Sequence, residues 1–156
     1  MLLSPRLRAL SVLPGALLGP PATASMLRFR VRLFDVDLNV HLTNSRYPQL
    51  MDAGRLDLLL RARMLWPLLK DGVTPLVVES TIQFRRELKL GVAFELHTRI
   101  TGLHRRAVLV EQRFVVGEKE HARATVRLLL SRGGRIIDPS PYLPVGVREA
   151  DERAPR

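Results

Sequence analysis

Apolar residues change period twice along this chain, and the changes mark its elements. Over residues 27–34, Leu27, Val31 and Leu33 stand against Arg28, Arg30 and Arg32, a partial two-residue alternation that predicts a half-buried strand. Over residues 45–62 the spacing turns helical, with Tyr47, Leu50, Met51, Gly54, Leu58 and Ala62 on one stripe. Leu56, Leu59 and Leu60 widen the stripe, while Arg46, Gln49, Asp52, Arg55 and Asp57 supply much of the remaining surface. So broad an apolar arc predicts a helix covered on most sides. Residues 64–72, with Trp66, Pro67 and Leu68, read as a second helical piece or an irregular linker. Alternation then returns in four segments. Residues 76–88 place Val78, Ser80, Ile82 and Phe84 together, and residues 92–102 place Val92, Phe94, Leu96 and Ile100 together. Residues 106–116 offer Val108, Val110 and Phe114, and residues 121–131 offer Ala122, Ala124, Val126, Leu128 and Leu130. Turns fall at residues 86–91, 102–105 and 117–120, and Gly133-Gly134 follows the last long segment.

One long helix and at least five strands, four of them consecutive, make an α+β domain whose curved antiparallel sheet wraps the helix. Gly54 costs about 1 kcal/mol in an exposed helix, so its compensation is close approach of the sheet at mid-helix. Asn44 is a candidate cap, its side-chain oxygen able to accept an orphan N–H at the helix start. Residues 26–143 form the domain. Residues 1–25 read as a flexible or targeting-like extension: Arg6 and Arg8, a short apolar run interrupted by Pro14 and Gly15, then Ala22-Thr23-Ala24. That run is too short to span a bilayer. A cytoplasmic location is expected, with the weak signal-like N-terminus leaving export open. Residues 144–156 are a charged tail expected to be disordered, preceded by a proline-rich strap from Asp138.

Hydrophobic residues make up 46% of the 156, enough for a core, and charged residues 26%. Cysteine is absent, which excludes disulfides, a thiolate nucleophile and cysteine-ligated metals. The formal charge is +10, carried almost wholly by arginine. Arginine suits phosphate. Because the arginines are scattered and few aromatics accompany them, a phosphate-bearing small molecule explains their sign equally well, and no nucleic-acid partner is expected.

Chemistry concentrates in residues 35–47, Asp-Val-Asp-Leu-Asn-Val-His-Leu-Thr-Asn-Ser-Arg-Tyr, where the strand feeds the helix N-terminus. Unpaired N–H groups there favour developing negative charge. Asp37 is a candidate base or nucleophile, with Asn39 and His41 beside it, and backbone N–H groups around Val40, His41 and Asn44 are candidate oxyanion donors. Asp35, two residues away, reads as a loop carboxylate bonded to backbone, and Tyr47 as core. The spacing of Asp35, Asp37 and His41 matches no metal signature, so no metal is expected. Arg85, Arg86 and Arg105 are candidates for holding phosphates. The apolar inner face with Met51, Leu58 and Leu59 is a candidate channel for an apolar group and equally what any core requires.

These residues resemble the motif Asp-x-Asp-x-Asn-Gly-His-x-Asn-Asn-x-x-Tyr of hotdog-fold acyl-CoA thioesterases in the 4-hydroxybenzoyl-CoA thioesterase superfamily. The likeness runs from about Leu27 to Leu143 and includes Phe84-Arg85-Arg86, residues 111–115 and Gly133-Gly134. It implies five or six antiparallel strands around one helix, homodimers and dimers of dimers with sheets joined edge to edge, and active sites at the subunit interface. It implies acyl-CoA hydrolysis with Asp37 as base or nucleophile and with no cofactor beyond the coenzyme A part of the substrate. Val40 stands where the family has glycine, and Thr43 where it has the first of two asparagines. If that glycine has positive φ, valine's branched Cβ resists it.

Two other readings remain. Hotdog enoyl-CoA hydratases and dehydratases resemble an Asp-x-Asn-Pro-x-His pattern, whose proline and spacing residues 37–41 lack. An acyl-CoA-binding protein without turnover is the second, with Val40 as its argument.

Overall fold

The computed structural model describes residues 22–148. In chain order these are β1 (Ala24–Arg30), a 3-10 turn (Leu33–Asp35), α1 (Arg46–Arg61), α2 (Leu65–Lys70), β2 (Val73–Phe84), β3 (Ala93–His104), β4 (Ala107–Val116), β5 (Lys119–Arg132), β6 (Arg135–Ile137) and a 3-10 turn (Ser140–Tyr142). Every pairing is antiparallel, in the order β1-β3-β4-β5-β2, with β6 also on β5. β1 takes in Ala24 and Ser25, so the ladder begins two residues before the expected domain start. The apolar run and both arginines of the extension lie outside the described residues, as does the end of the charged tail. Among the described residues no helix is long and apolar enough to cross a membrane.

The alternating segments bury the faces their pattern predicts. Ala122, Ala124, Val126 and Leu128 of β5 are buried in one core with Tyr47, Met51 and Leu58 of α1, and Leu130 is buried in a second. Aromatic rings cross that core in sequence: Phe84 on Tyr47 at 4.9 Å, Tyr47 on Phe114 at 4.8 Å and Phe114 on Phe94 at 5.9 Å. A smaller cluster of Ala62, Met64, Leu68, Val73 and Leu130 lies under the strap, where Tyr142 and Leu143 pack on it. Tyr142 pins the strap by donating its hydroxyl to Asp71 at 2.7 Å.

Gly54 is the residue at which the sheet comes closest. A Cβ built there meets Thr98 Oγ1 at 2.5 Å and Gln112 Nε2 at 2.9 Å, so no larger residue fits without displacement. Gln112, fully buried, donates to Met51 O at 2.9 Å and Thr98 Oγ1 at 3.1 Å, and accepts from Arg55 Nη1 at 2.8 Å. A polar seam thus ties helix to sheet where the glycine lets them touch.

Three expectations need correcting. Asp57, predicted on the outer surface, is fully buried; its Oδ2 accepts from Arg61 Nε at 2.7 Å, and its Oδ1 meets no donor among the described residues. In β2 a bulge between Val77 and Glu79 removes Val78 from the face shared by Val77, Ser80, Ile82 and Phe84. Most of β2 is exposed on both faces, because it forms a sheet edge covered mainly at its ends, where Val73 packs with Leu68 and Phe84 with Tyr47. Met51 and Leu58 are sealed in the core, so the candidate channel along them is closed in the single chain.

Candidate functional site

The polar loop leaves β1 at a point fixed by two backbone bonds, Val31 N–H to Val92 O at 2.9 Å and Gly91 N–H to Val31 O at 2.9 Å. The 3-10 turn then folds Asp35 inward. It is buried, accepts the Arg32 N–H at 3.0 Å and sits 3.5 Å from Arg46 Nε, which makes it a structural carboxylate as its position suggested.

Residues 36–42 form a miniature hairpin. Val36 and Leu42 pair, Val40 N–H closes on Asp37 O at 3.0 Å, and Asn39 N–H donates to Asp37 Oδ1 at 2.9 Å. That side-chain bond is the local turn that aspartate makes readily. The hairpin docks on a second segment: Leu42 N–H bonds Leu88 O at 2.7 Å and Leu90 N–H bonds Val40 O at 3.1 Å. Leu42 and Leu88 are both buried and hold this contact shut. Val40 takes φ +61°, the left-handed conformation in which glycine is at ease and a β-branched residue is strained.

The amide bonds narrow the oxyanion candidates. Val40 N–H and Leu42 N–H are already committed, while those of His41 and Asn44 donate to no carbonyl among the described residues. At the helix start Thr43, not Asn44, does the local capping: its Oγ1 accepts the Ser45 N–H at 3.2 Å, and Arg46 N–H bonds Thr43 O at 2.9 Å. Asn44 is left exposed with its side chain at the rim of a cleft. With α1 starting at Arg46, Pro48 falls in the first turn, where an N–H has no helical partner to lose.

That cleft, about 320 Å³, is lined by His41, Leu42, Asn44, Tyr47, Phe84, Arg85, Arg86 and Glu87. Tyr47 forms its buried side, and burial pushes its hydroxyl up to about 12, so at neutral pH it is a neutral donor. Asp37 lies beside the cleft without lining it. Its carboxylate is 39% exposed and stands 3.9 Å from His41 Nδ1, so the imidazole separates it from the cavity. Asn39 is exposed on the loop, away from the lining.

The arginines divide. Arg86 lines the cleft and has no carboxylate partner among the described residues; Arg85 lines it too, but reaches Glu120 at 3.2 Å. Glu120 is held down to about 2, first by its hydrogen bond from Arg123 and then by that from Arg113, so it draws on Arg85 permanently. Arg105 sits on the β3–β4 turn, at the far end of β3 from the Lys89–Val92 corner, so a 12-residue strand of ~35 Å separates it from the cleft. Sequence reasoning brought Arg85 and Arg86 to the site and overlooked Phe84 and Glu87, which neighbour them on the same turn.

A sequence profile of the thioesterase-like superfamily matches residues 31–142. The chain belongs to this superfamily. It is similar to Protein THEM6 of Danio rerio, 38% identical over 92 residues, which cover 55% of this chain and 43% of that protein. The chain therefore spans less than half the length of this curated relative. Among solved structures it resembles YbaW, a probable thioesterase from Escherichia coli, with TM-score 0.70 at 17% identity over 74% of this chain and 90% of the other. It also resembles a mutant 4-hydroxybenzoyl CoA thioesterase complexed with 4-hydroxybenzoyl CoA, with TM-score 0.67 at 13% identity over 78% of this chain and 96% of the other. These likenesses give the chain a hotdog fold.

Proposed function

We propose that this protein hydrolyses acyl-CoA thioesters to a free acid and coenzyme A. The observation that supports this best is the convergence of His41, Asn44, Tyr47 and the Arg85-Arg86 pair on one cleft at the start of the long helix, with Asp37 directly behind His41. In this reading the thioester carbonyl points at the His41 and Asn44 amides, which stabilise the oxyanion as water attacks. Asp37 takes the proton of that water as general base, and the C–S bond breaks to release coenzyme A, which takes up the proton. Alternatively Asp37 attacks the carbonyl itself, expelling coenzyme A thiolate and leaving an anhydride that water opens to the free acid and the Asp37 carboxylate. Either route requires its carboxylate to swing off the Asn39 N–H and past the His41 ring. Arg86, aided by Arg85, meets coenzyme A phosphate.

The working unit is a homodimer. β2 supports this reading: its free edge exposes Leu76, Val77 and Val78, whereas the β1 edge carries Arg28 and Arg30. Charged residues blunt an edge and apolar ones invite pairing. Two β2 edges joined antiparallel cover those residues, and two such dimers can associate further.

Release of coenzyme A from a panel of short, long and aromatic acyl-CoAs tests the activity. Asp37→Asn is expected to lower kcat by ~10²–10⁴-fold, the usual span for a lost general base, with the folding transition unchanged. One observation favours a second reading: the Asp37 carboxylate is engaged with its own loop. Tight acyl-CoA binding with no release would establish a binding protein instead, and hydration of enoyl-CoA a hydratase.

A further inference from the structure

Asp37 is not the only carboxylate beside His41. Glu87 Oε1 stands 3.9 Å from His41 Nε2, matching the 3.9 Å between Asp37 Oδ1 and Nδ1, so each ring nitrogen faces an acidic side chain. The two acids are not equivalent. Glu87 lines the cleft, whereas Asp37 lies outside its lining.

A glutamate at 62% side-chain exposure on a turn is ordinarily a solvated charge. Three features argue against that here. First, the backbone of its turn is held from β5: Arg85 N–H and Arg86 N–H both donate to His121 O, at 2.9 and 3.0 Å. The His121 ring adds a third bond from Nδ1 to Glu87 O at 2.9 Å, and since a carbonyl only accepts, Nδ1 carries the proton. Second, the next residue, Leu88, is fully buried and accepts the Leu42 N–H, so Glu87 is fixed on both sides relative to the His41 loop. Third, among the described residues Glu87 is paired with His41 and with no arginine: Arg85 is engaged by Glu120, and neighbouring Arg86 lies in the same lining without an ion pair to it. An acid kept apart from a neighbouring cation and aimed at an imidazole is a placed group.

We propose that Glu87 is a positioning residue of the hydrolytic site, holding the His41 ring by accepting from its Nε2–H, with Asp37 flanking Nδ1. This rests on the hydrolase reading of the cleft. The ring held at Nε2 fixes the His41 amide that faces the thioester oxygen and the path by which Asp37 reaches the cleft. Contacts of this length in a substrate-free site tighten when substrate enters. Glu87 makes or breaks no bond in the reaction; it acts through His41.

The test uses the full chain, steady-state coenzyme A release from the best panel substrate, and a thermal transition as folding control. Glu87→Gln is expected to lower kcat roughly 10- to 100-fold, the scale of a misplaced reacting geometry, with KM changed less than about twofold. Glu87→Asp is expected to recover most of that loss. In a His41→Ala background, Glu87→Gln is expected to cost nothing further, because the group it acts on is gone. A Glu87→Gln effect confined to KM, or one of equal size with His41 absent, overturns the proposal and leaves hydrolysis by Asp37 standing. If wild type releases coenzyme A from no panel member, the hydrolase reading fails, and NMR of the His41 ring nitrogens decides the contact separately. An Nε2 signal unmoved by Glu87→Gln then overturns the proposal as well, and a moved one keeps the grip on His41.

Discussion

Val40 offers a test in which backbone geometry and side-chain chemistry predict opposite signs. The residue holds φ +61° and is 52% exposed. At an ordinary exposed position, alanine is more stable than glycine by ~0.5–1 kcal/mol, because glycine loses more chain entropy on folding. In the left-handed region any Cβ crowds the following carbonyl at a cost of ~1–2 kcal/mol. Subtracting the first from the second makes Val40→Gly more stable than Val40→Ala by ~0–1.5 kcal/mol, centred at about 0.75 kcal/mol. Both substitutions forfeit the same partly covered γ methyls, so their difference isolates the backbone. For a domain of this size each kcal/mol moves the thermal midpoint by ~2–4 °C, and urea denaturation gives the same comparison with better precision. An exposed alanine/glycine pair on α1, such as at Gln49, supplies the opposite sign as control. If Val40→Ala is the more stable of the two, position 40 does not hold a positive φ. The account of valine in a glycine position would then be wrong.

Two further outcomes follow from the packing and the charges. Gly54→Ala gains ~1 kcal/mol of helix propensity but loses ~1–3 kcal/mol to overpacking against Thr98 and Gln112. It is therefore expected to destabilise, and a gain in a urea melt would refute the close helix–sheet contact. Glu120 has its folded value lowered from 4.5 to about 2 by Arg123 and Arg113, so its contribution is complete above pH 4.5 and is lost as pH falls through about 2. Glu120→Gln should therefore flatten the acid limb of the stability profile between those values; an unchanged slope would show the arginine cluster to be energetically idle.

Most of the fold was legible because its faces are nearly binary. β5 is the clearest case: five apolar residues at every second position, all buried, with Arg123, Thr125, Arg127 and Leu129 alternating between them on the other face. The two-residue Gly133-Gly134 turn was equally open to reading, since both take the positive φ that a tight hairpin needs. The pattern failed where polarity and burial part company. Gln112 and Thr98 sit on the inner faces of β4 and β3, and Asp57 on a buried side of α1, each accommodated by partners distant in sequence or one helical turn away. β2 failed in the other direction: its apolar residues predict burial, yet as an edge strand in a single chain its middle, Leu76 to Val78, is exposed.

The site was legible only as a stretch of chain, because its geometry depends on a second segment 50 residues further on. Taken alone, residues 35–47 contain two aspartates whose roles no spacing rule separates. Tertiary contacts separate them. Arg46 and the Arg32 amide draw Asp35 inward, whereas Asp37 bonds only its own turn and the flank of His41. Likewise the amides of Val40 and Leu42 look available until the Leu88–Leu90 corner arrives and removes the second, leaving His41 to face the cleft. That same corner brings Glu87. A search for charged residues beside pairs of apolar anchors, here Leu42 and Leu88, would have found it, since buried anchors fix whatever follows or precedes them. The chemistry of this loop is thus set less by its own side chains than by the buried leucine contact that decides which of them face the cavity.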